Sequence, residues 1–457
     1  MIKQIQISGF RGFGIPQIVP FAVPSAQKFG SGLTIITGGN NSGKTTIIES
    51  IRAFNGNESP SFSEGRRNAN TESVVELVME SVSGDVSTIK SIPGNGSSTE
   101  KTDTIKPKTY ILQSRRAVPF EFGKLSWDRD AYITQTQNLG SQRTSTLDHF
   151  DARIFQIEKR KSEFDLVLQK VFGEDFRWTV EQRDTGKYYI KYIKDGIAHS
   201  SEGVGDGIWS IFTICAALFD APEESMVVID EPELSIHPAM QKRLMKLLGE
   251  YAQTRQIVIS THSPYFVDWN AIINGAMLIR TVKEGVNTKC YHLSNDCRTL
   301  FKGILKDLNN PHTLGLVANE VFFLNDKVIL VEGQEDVVIF NKIATDLGRS
   351  IDGDFFGWGV GGATKMRAFL KLFNDLGYKK VIAILDGDKK DTAEELGKEF
   401  SSCGYRFFVL PTDDIRDKEG RELAPKIGIA TDKGRFKDEH KAYLTNLFDE
   451  ISAAFCK

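Results

Sequence analysis

The chain lacks paired cysteines, an apolar run long enough to span a bilayer, a surplus of basic charge and any sustained heptad pattern. Its five cysteines, Cys215, Cys290, Cys297, Cys403 and Cys456, are scattered over 457 residues. An odd number without a C-x-x-C pair excludes a disulfide frame and points to reduced thiols in the cytoplasm. Cys290, His292 and Cys297 lie close together but lack the fourth ligand and the spacing that zinc requires. The apolar–polar alternation of Met1–Ile7 suits a strand, not a secretory leader, and no membrane partner is expected. A net charge of −3 excludes a basic coat for nucleic acid, although a local basic groove remains open. What is present is ordinary for globular cores: 40% hydrophobic and 26% charged residues, at a length that calls for two domains or more.

The most informative stretch is Gly38-Gly39-Asn40-Asn41-Ser42-Gly43-Lys44-Thr45, which fits G-x-x-x-x-G-K-[ST]. An apolar, β-branched run (Leu33–Thr37) precedes it and a helix start (Thr46–Ile51) follows, the context in which this pattern binds phosphate. The glycines let backbone N–H groups face phosphate oxygens at a helix N-terminus. Lys44 can reach the β- and γ-phosphates of ATP, and Thr45 can hold Mg²⁺. Gly38, Asn40, Asn41, Ser42, Gly43 and Thr46 complete the expected cradle.

Met226–Pro232 is an apolar strand ending in Asp230 and Glu231, placed to hold Mg²⁺ through water and to polarise an attacking water. Gln256–Pro264 is another buried strand with a polar switch at its end, and His262 at the tip suits a γ-phosphate sensor. Two later strands also end in acids. Lys327–Asp336 delivers Glu332 and then Asp336, and Lys380–Asp388 delivers Asp386 and Asp388. Parallel strand ends open on one crevice. Clustered carboxylates repel unless a cation lies between them, and hard oxygen ligands favour Mg²⁺ or Mn²⁺. Such a set suits phosphodiester hydrolysis.

The strand–helix alternation predicts an α/β protein. An ATPase domain is expected over 1–295, with polar strands and a helix inserted over about 55–175. The spacing of Phe150, Ile154, Ile157, Phe164 and Leu168 predicts one amphipathic helix over 148–172. A helical connector is expected over 296–324 and a second parallel-sheet domain over 325–457.

Residues 1–280 resemble the ABC-type ATPase class of DNA repair and chromosome maintenance. Lys44 and Thr45 match its first nucleotide motif, Asp230 and Glu231 its second, Glu233–Pro238 its dimer-contacting loop and His262 its switch. Ser200–Gly207 stands where the signature loop belongs, with Ser201 and Gly203 toward nucleotide, though it departs from the L-S-G-G-Q wording. The resemblance also implies a metal-coordinating glutamine, assigned to Gln113, and a homodimer or higher oligomer. The absence of heptads speaks against a chromosome-tethering coiled coil.

Glu332-Gly333-Gln334-Glu335-Asp336 followed by Asp386-Gly387-Asp388 resembles the TOPRIM domain. An ABC-type ATPase joined to TOPRIM resembles the OLD (overcoming lysogenisation defect) nuclease family, whose relatives include Gabija-type and retron-associated phage-defence effectors. The resemblance implies Glu332 as the leading acid and Asp336, Asp386 and Asp388 as metal ligands. It extends to Asp413 and Asp414 as a second metal site and to a late lysine beside the scissile phosphate. Lys433, Lys437 and Lys441 are the candidates, of which Lys437 is preferred. DNA is the implied substrate. A retron reverse transcriptase with its RNA, or a helicase, is the kind of partner such systems carry. The rival expectation is an ATP-gated sensor, scaffold or repair ATPase whose TOPRIM domain binds nucleic acid without cutting.

Overall fold

A computed structural model describes residues 1–55, 74–93, 98–105, 108–114, 150–173, 176–194, 196–200, 204–306, 314–323, 326–418 and 425–456, with residues 62, 66–68, 123–124, 128 and 130–131 between them. The chain divides into two compact units, Met1–Cys290 and Tyr291–Lys457.

The first unit opens with β1 (Ile2–Ser8), β2 (Gln17–Pro20), β3 (Leu33–Gly38), α1 (Lys44–Ala53), β4 (Glu76–Ser81), β5 (Val86–Ser91), β6 (Thr99–Thr102) and β7 (Thr109–Leu112). It continues through α2 (Phe150–Glu158), α3 (Lys161–Phe172), β8 (Arg177–Gln182), β9 (Tyr188–Lys194), β10 (Ile197–Ser200) and α4 (Asp206–Asp220). Then come β11 (Met226–Asp230), α5 (Pro238–Tyr251), β12 (Gln256–Ser260), α6 (Trp269–Asn274), β13 (Met277–Glu284) and β14 (Asn287–His292).

A six-stranded sheet, β14-β13-β3-β12-β11-β7, is parallel from β13 to β7. Its central strands β3, β11 and β12 are buried at every position, as expected of strands covered on both faces. A five-stranded antiparallel sheet, β2-β1-β4-β5-β6, packs over it. Ile5, Ile7, Leu77 and Met79 meet Ile36, Val228 and Val258 there, together with Ile47, Ile48 and Ile51 of α1. Register sets Asp230 beside Ser260 and Gly38 beside Thr281, so every loop at this end of the sheet opens on one side.

The helix expected over 148–172 is two helices. Arg160, with φ −120° and ψ 31°, leaves the helical region between α2 and α3, and its N–H turns back to the Ile157 carbonyl at 2.9 Å. The apolar spacing survives the break, which is why it reads as continuous.

The second unit comprises α7 (Asn295–Lys306), α8 (Leu316–Glu320), β15 (Lys327–Leu330), α9 (Gln334–Asp346), β16 (Asp354–Phe355), α10 (Ala363–Asp375), β17 (Lys380–Leu385), α11 (Lys390–Glu399), β18 (Arg406–Val409), β19 (Asp414–Arg416), β20 (Gly428–Ala430) and α12 (Lys441–Cys456). Strands β16-β15-β17-β18 form an all-parallel sheet, and β19 pairs with β20. Within this unit α7 packs Phe301 edge-on to Phe369 of α10, with ring centroids 5.1 Å apart. The core gathers Ile329, Phe340, Ile382 and Ile384 with Leu444, Phe448 and Phe455 of α12. Among the described residues no helix is long and apolar enough to cross a membrane.

Candidate functional sites

In the first unit β3 ends at Gly38 and α1 begins at Lys44, so the glycine loop fills the turn between them. Asn41 (φ 61°) and Gly43 (φ 108°) take left-handed backbone, and a β-carbon at Gly43 would come within 2.9 Å of Thr288. Glycine is therefore required at 43 on two grounds. Ser42 Oγ and Thr281 Oγ1 lie 2.6 Å apart, anchoring the loop to β13. The Lys44 ammonium donates to the Gly38 and Gly39 carbonyls at 2.9 and 3.0 Å. Burial lowers its pKa, while Glu231, Asp230 and Glu233 pull it back up. The α1 first turn carries no acid, which leaves its dipole free for an anion.

A cleft of about 760 Å³ opens over this loop. Asn40, Asn41, Ser42, Gly43, Lys44, Thr45 and Thr46 line it together with Glu231 and His262. Asp230 sits beneath, 1% exposed, accepting the Ser260 hydroxyl. Glu231 has φ 48°, a strained value of the kind that collects at functional sites. His262 Nε2 stands 4.0 Å from Glu231 Oε1. Burial and then the Lys44 charge lower the His262 pKa, so at neutral pH the imidazole is uncharged. Gln113 follows β7 at the sheet edge beside β11 and is not a cleft residue. Ser201 and Gly203 lie outside the described residues.

The cleft also contains residues that the motifs did not announce: Arg11, Arg67, Asn68, Lys283 and Thr288. Of these only Arg11 had a local signal, the run Phe10-Arg11-Gly12-Phe13 just past β1. Glu233 was assigned to a contacting loop, yet its carboxylate turns inward. It accepts the Thr261 hydroxyl at 2.8 Å and the His262 N–H at 2.6 Å.

In the second unit β15 and β17 run parallel, so Glu332 and Asp386 leave the same sheet edge. The Asp386 N–H donates to Glu332 Oε1 at 3.0 Å, and Asp336 accepts the Gly333 N–H at 2.8 Å. Burial, then the charges of Asp336, Glu332, Asp414 and Asp388, push Asp386 up to about 8. Burial, with Glu332 and Asp414, pushes Asp336 up to about 7. Five expected acids thus share one field: Glu332, Asp336, Asp386, Asp388 and Asp414. Asp413 is exposed beside them.

Three amines meet this cluster. Lys389 and Lys426 lie 2.9 and 3.4 Å from Asp388. Against the effect of burial they hold Asp388 below the usual carboxylate range. Lys418 bonds Asp414 at 2.6 Å. Lys437 instead pairs with Asp417 at 2.8 Å, Lys433 turns its carbonyl to Lys342, and Lys441 opens α12. A glycine loop backs the acids. Gly361 and Gly362 donate N–H to the Glu332 carbonyl at 2.9 and 2.8 Å, and Trp358 on the same loop is 39% exposed.

The donor set fits a hard divalent cation, because five carboxylates crowd one sheet edge and burial and their mutual repulsion raise two of them, Asp336 and Asp386. Among the described residues no three His, Cys, Asp or Glu side chains stand in ligating arrangement. Lys418 and Lys426 hold two of the acids instead.

Comparison with known proteins agrees with this division. Residues 80–268 match the family described as "AAA domain, putative AbiEii toxin, Type IV TA system". Residues 323–388 match "Overcoming lysogenization defect protein-like, TOPRIM domain". The chain is 30% identical over 217 residues to the OLD nuclease of Thermus scotoductus, covering 42% of this chain and 39% of that protein. It is 28% identical over 216 residues to Endonuclease GajA of Bacillus cereus, covering 46% and 35%. It is 22% identical over 305 residues to Septu protein PtuA of Bacillus thuringiensis, covering 60% and 74%. The chain thus spans under two fifths of the first two relatives. Among solved structures, the SMC head domain from Thermotoga maritima aligns with a TM-score of 0.39 and 17% identity, over 64% of this chain and 99% of that one, too distant to support an argument. The chain thus joins a P-loop ATPase domain to an OLD-like TOPRIM domain, the same pairing on which its similarity to the OLD nuclease rests.

Proposed function

We propose that the protein is an ATP-binding, nucleotide-regulated and metal-dependent DNA endonuclease of anti-phage defence. The observation that carries the proposal is the acidic cluster at the sheet edge of an OLD-like TOPRIM domain, where Glu332 accepts the Asp386 N–H and burial, then the charges of Asp336, Glu332, Asp414 and Asp388, raise Asp386. In the first unit Lys44 and the α1 N-terminus hold the triphosphate, and Thr45 and Asp230 hold its Mg²⁺. Glu231 orients water, and neutral His262 donates to the γ-phosphate. In the second unit Glu332, Asp336, Asp386, Asp388 and Asp414 would hold Mg²⁺ or Mn²⁺. A bound cation supplies charge neutralisation and an activated water there. Lys389, Lys418 and Lys426 are placed to take the substrate phosphates once a cation relieves them of the carboxylates. Assembly of two copies through the first unit fits the exposed Leu234 on the loop after Glu231.

The test is supercoiled plasmid incubated with Mg²⁺ or Mn²⁺, with and without ATP. The parental protein should nick or linearise it, and Asp386→Ala should not, while both bind ATP alike. One observation favours a second reading, an ATP-gated nucleic-acid binder. With amines on Asp388 and Asp414 and no ligating triad among the described residues, the cluster would be a salt-bridged surface. Plasmid bound but uncut under every divalent metal would establish it.

A further inference from the structure

We infer that Glu233 and Gln241 are positioning residues that tie the exposed loop after β11 to the loop carrying His262, so that the tip at Leu234–Ser235, seated on Gly207, sets where His262 stands. The inference rests on the ATPase part of the proposal above.

The two loops belong to neighbouring parallel strands, and side chains lace them together. Glu233 accepts from Thr261 and from the His262 backbone N–H, one carboxylate oxygen to each. Gln241 spans the same gap from α5. Its Nε2 donates to the Ile236 carbonyl at 2.7 Å and its Oε1 accepts from Ser263 Oγ at 2.6 Å. The Ile236 N–H donates to the Glu233 carbonyl at 2.9 Å, which closes the loop on itself. Gln241 is 8% exposed and Ser263 8%, so these bonds do not compete with bulk water and are costly to leave unmade. Burial pushes the Glu233 carboxyl up, while its hydrogen bonds to His262 and Thr261 resist.

The outer end of the loop is exposed. Leu234 is 39% exposed and Ser235 has φ 63°. Its underside rests on the first turn of α4, where a β-carbon at Gly207 would overlap the Ser235 carbonyl. A shift of α4 or of the tip therefore has a continuous covalent and hydrogen-bonded route to His262. Neither Glu233 nor Gln241 is among the residues lining the cleft, so their loss should act on the geometry of His262 and Glu231, not on nucleotide capture. A second copy of this chain pressing on Leu234 is the natural source of such a shift.

The experiment measures ATP turnover and ATP affinity separately on the full chain. In Glu233→Ala, kcat should fall by about tenfold or more while ATP affinity changes less than about threefold, the signature of a lost transition-state interaction. Glu233→Gln can keep both bonds, with its carbonyl toward the His262 N–H and its amide toward the Thr261 oxygen, and should restore most of kcat. Gly207→Ala, which pushes on the tip alone, should lower kcat in the same direction. Glu233→Ala and Gln241→Ala combined should cost less than the product of their separate effects, because they serve one contact. Where Glu233→Ala fails to fold, Thr261→Val removes at constant shape the bond to Glu233 together with the Ser263 N–H bond to the same oxygen, and it is read in the same way. Turnover unchanged in Glu233→Ala, affinity lost in step with turnover, or no rescue by glutamine would each overturn the inference. A parental protein that binds ATP but never hydrolyses it would overturn the ATPase proposal instead, and that result is visible before any variant is made.

Discussion

Replacing Asp336 by Asn should stabilise the second unit at pH 8, although it deletes an expected metal ligand. Asp336 is 7% exposed. Burial, then Glu332 and Asp414, lift its pKa from 3.8 to about 7, with the Gly333 N–H and Lys418 acting the other way. In the unfolded chain the group ionises near its ordinary value, so the folded state holds the proton more tightly. Below about pH 4 both states are protonated and nothing is lost. From there to about pH 7 stability falls by about 1.4 kcal/mol per pH unit, and above that the loss is constant. Three units give about 4 kcal/mol at most, and relaxation of Lys418 and the coupled Asp386 reduces this to about 2–4 kcal/mol. Asparagine keeps an oxygen for the Gly333 N–H and carries no charge. The variant should therefore melt about 5–10 °C above the parental protein at pH 8 with EDTA, for a unit of this size. The gap should shrink by pH 5 and close by pH 4. Calorimetry over that range is the assay. Mg²⁺ should raise the parental melting point at pH 8 by mass action and raise the variant's less. A variant less stable than the parental protein at pH 8, or a gap of equal size at pH 5 and pH 8, would refute the reasoning.

Lys44→Ala should weaken ATP binding by about tenfold or more, because a charge-assisted phosphate contact is lost; titration calorimetry on the folded variant that finds parental affinity would disprove the site. Lys426→Ala should slow plasmid nicking by about tenfold or more, while Lys437→Ala, whose amine serves Asp417, should change it by less than about threefold. The opposite ranking would restore Lys437 as the catalytic lysine. ATP should shift light scattering toward a dimer or larger species, and monomer alone with and without ATP would remove the assembly proposal.

The parts of the site legible in the sequence are those that local pattern determines. The glycine loop, Asp230, Glu231 and His262 each stand at the end of an apolar run, and period and polarity alone announce such ends. Glu332, Asp386 and Asp388 were legible in the same way. Glu233 was visible as a residue but not in its role, because its partners Thr261 and His262 lie 28 and 29 positions away. Lys418 and Lys426 come from the segment around β19 and β20, where no periodic signal distinguishes one lysine from its neighbours. Preferring Lys437 followed sequence position, whereas the amine's company is set by the pairing of β19 with β20. The break between α2 and α3 was illegible because an amphipathic stripe continues across it. The cleft residues Arg67, Asn68 and Lys283 depend on the segment at 66–68 and the end of β13 meeting the glycine loop, which no window of sequence contains.

Of the chain's five tryptophans, Trp358 alone belongs to the second unit. Trp178, Trp209 and Trp269 are 1%, 5% and 5% exposed in the first. A solvent-borne quencher such as iodide will therefore act on Trp358 far more than on these three. Its loop donates two N–H groups to the carbonyl of Glu332, so the indole rides on the backbone that holds the leading acid. The protein thus carries its own optical gauge: with Trp127 replaced by Phe, red-edge emission from this one ring can follow cation or oligonucleotide arrival in the second unit without a label, while nucleotide is added to the first.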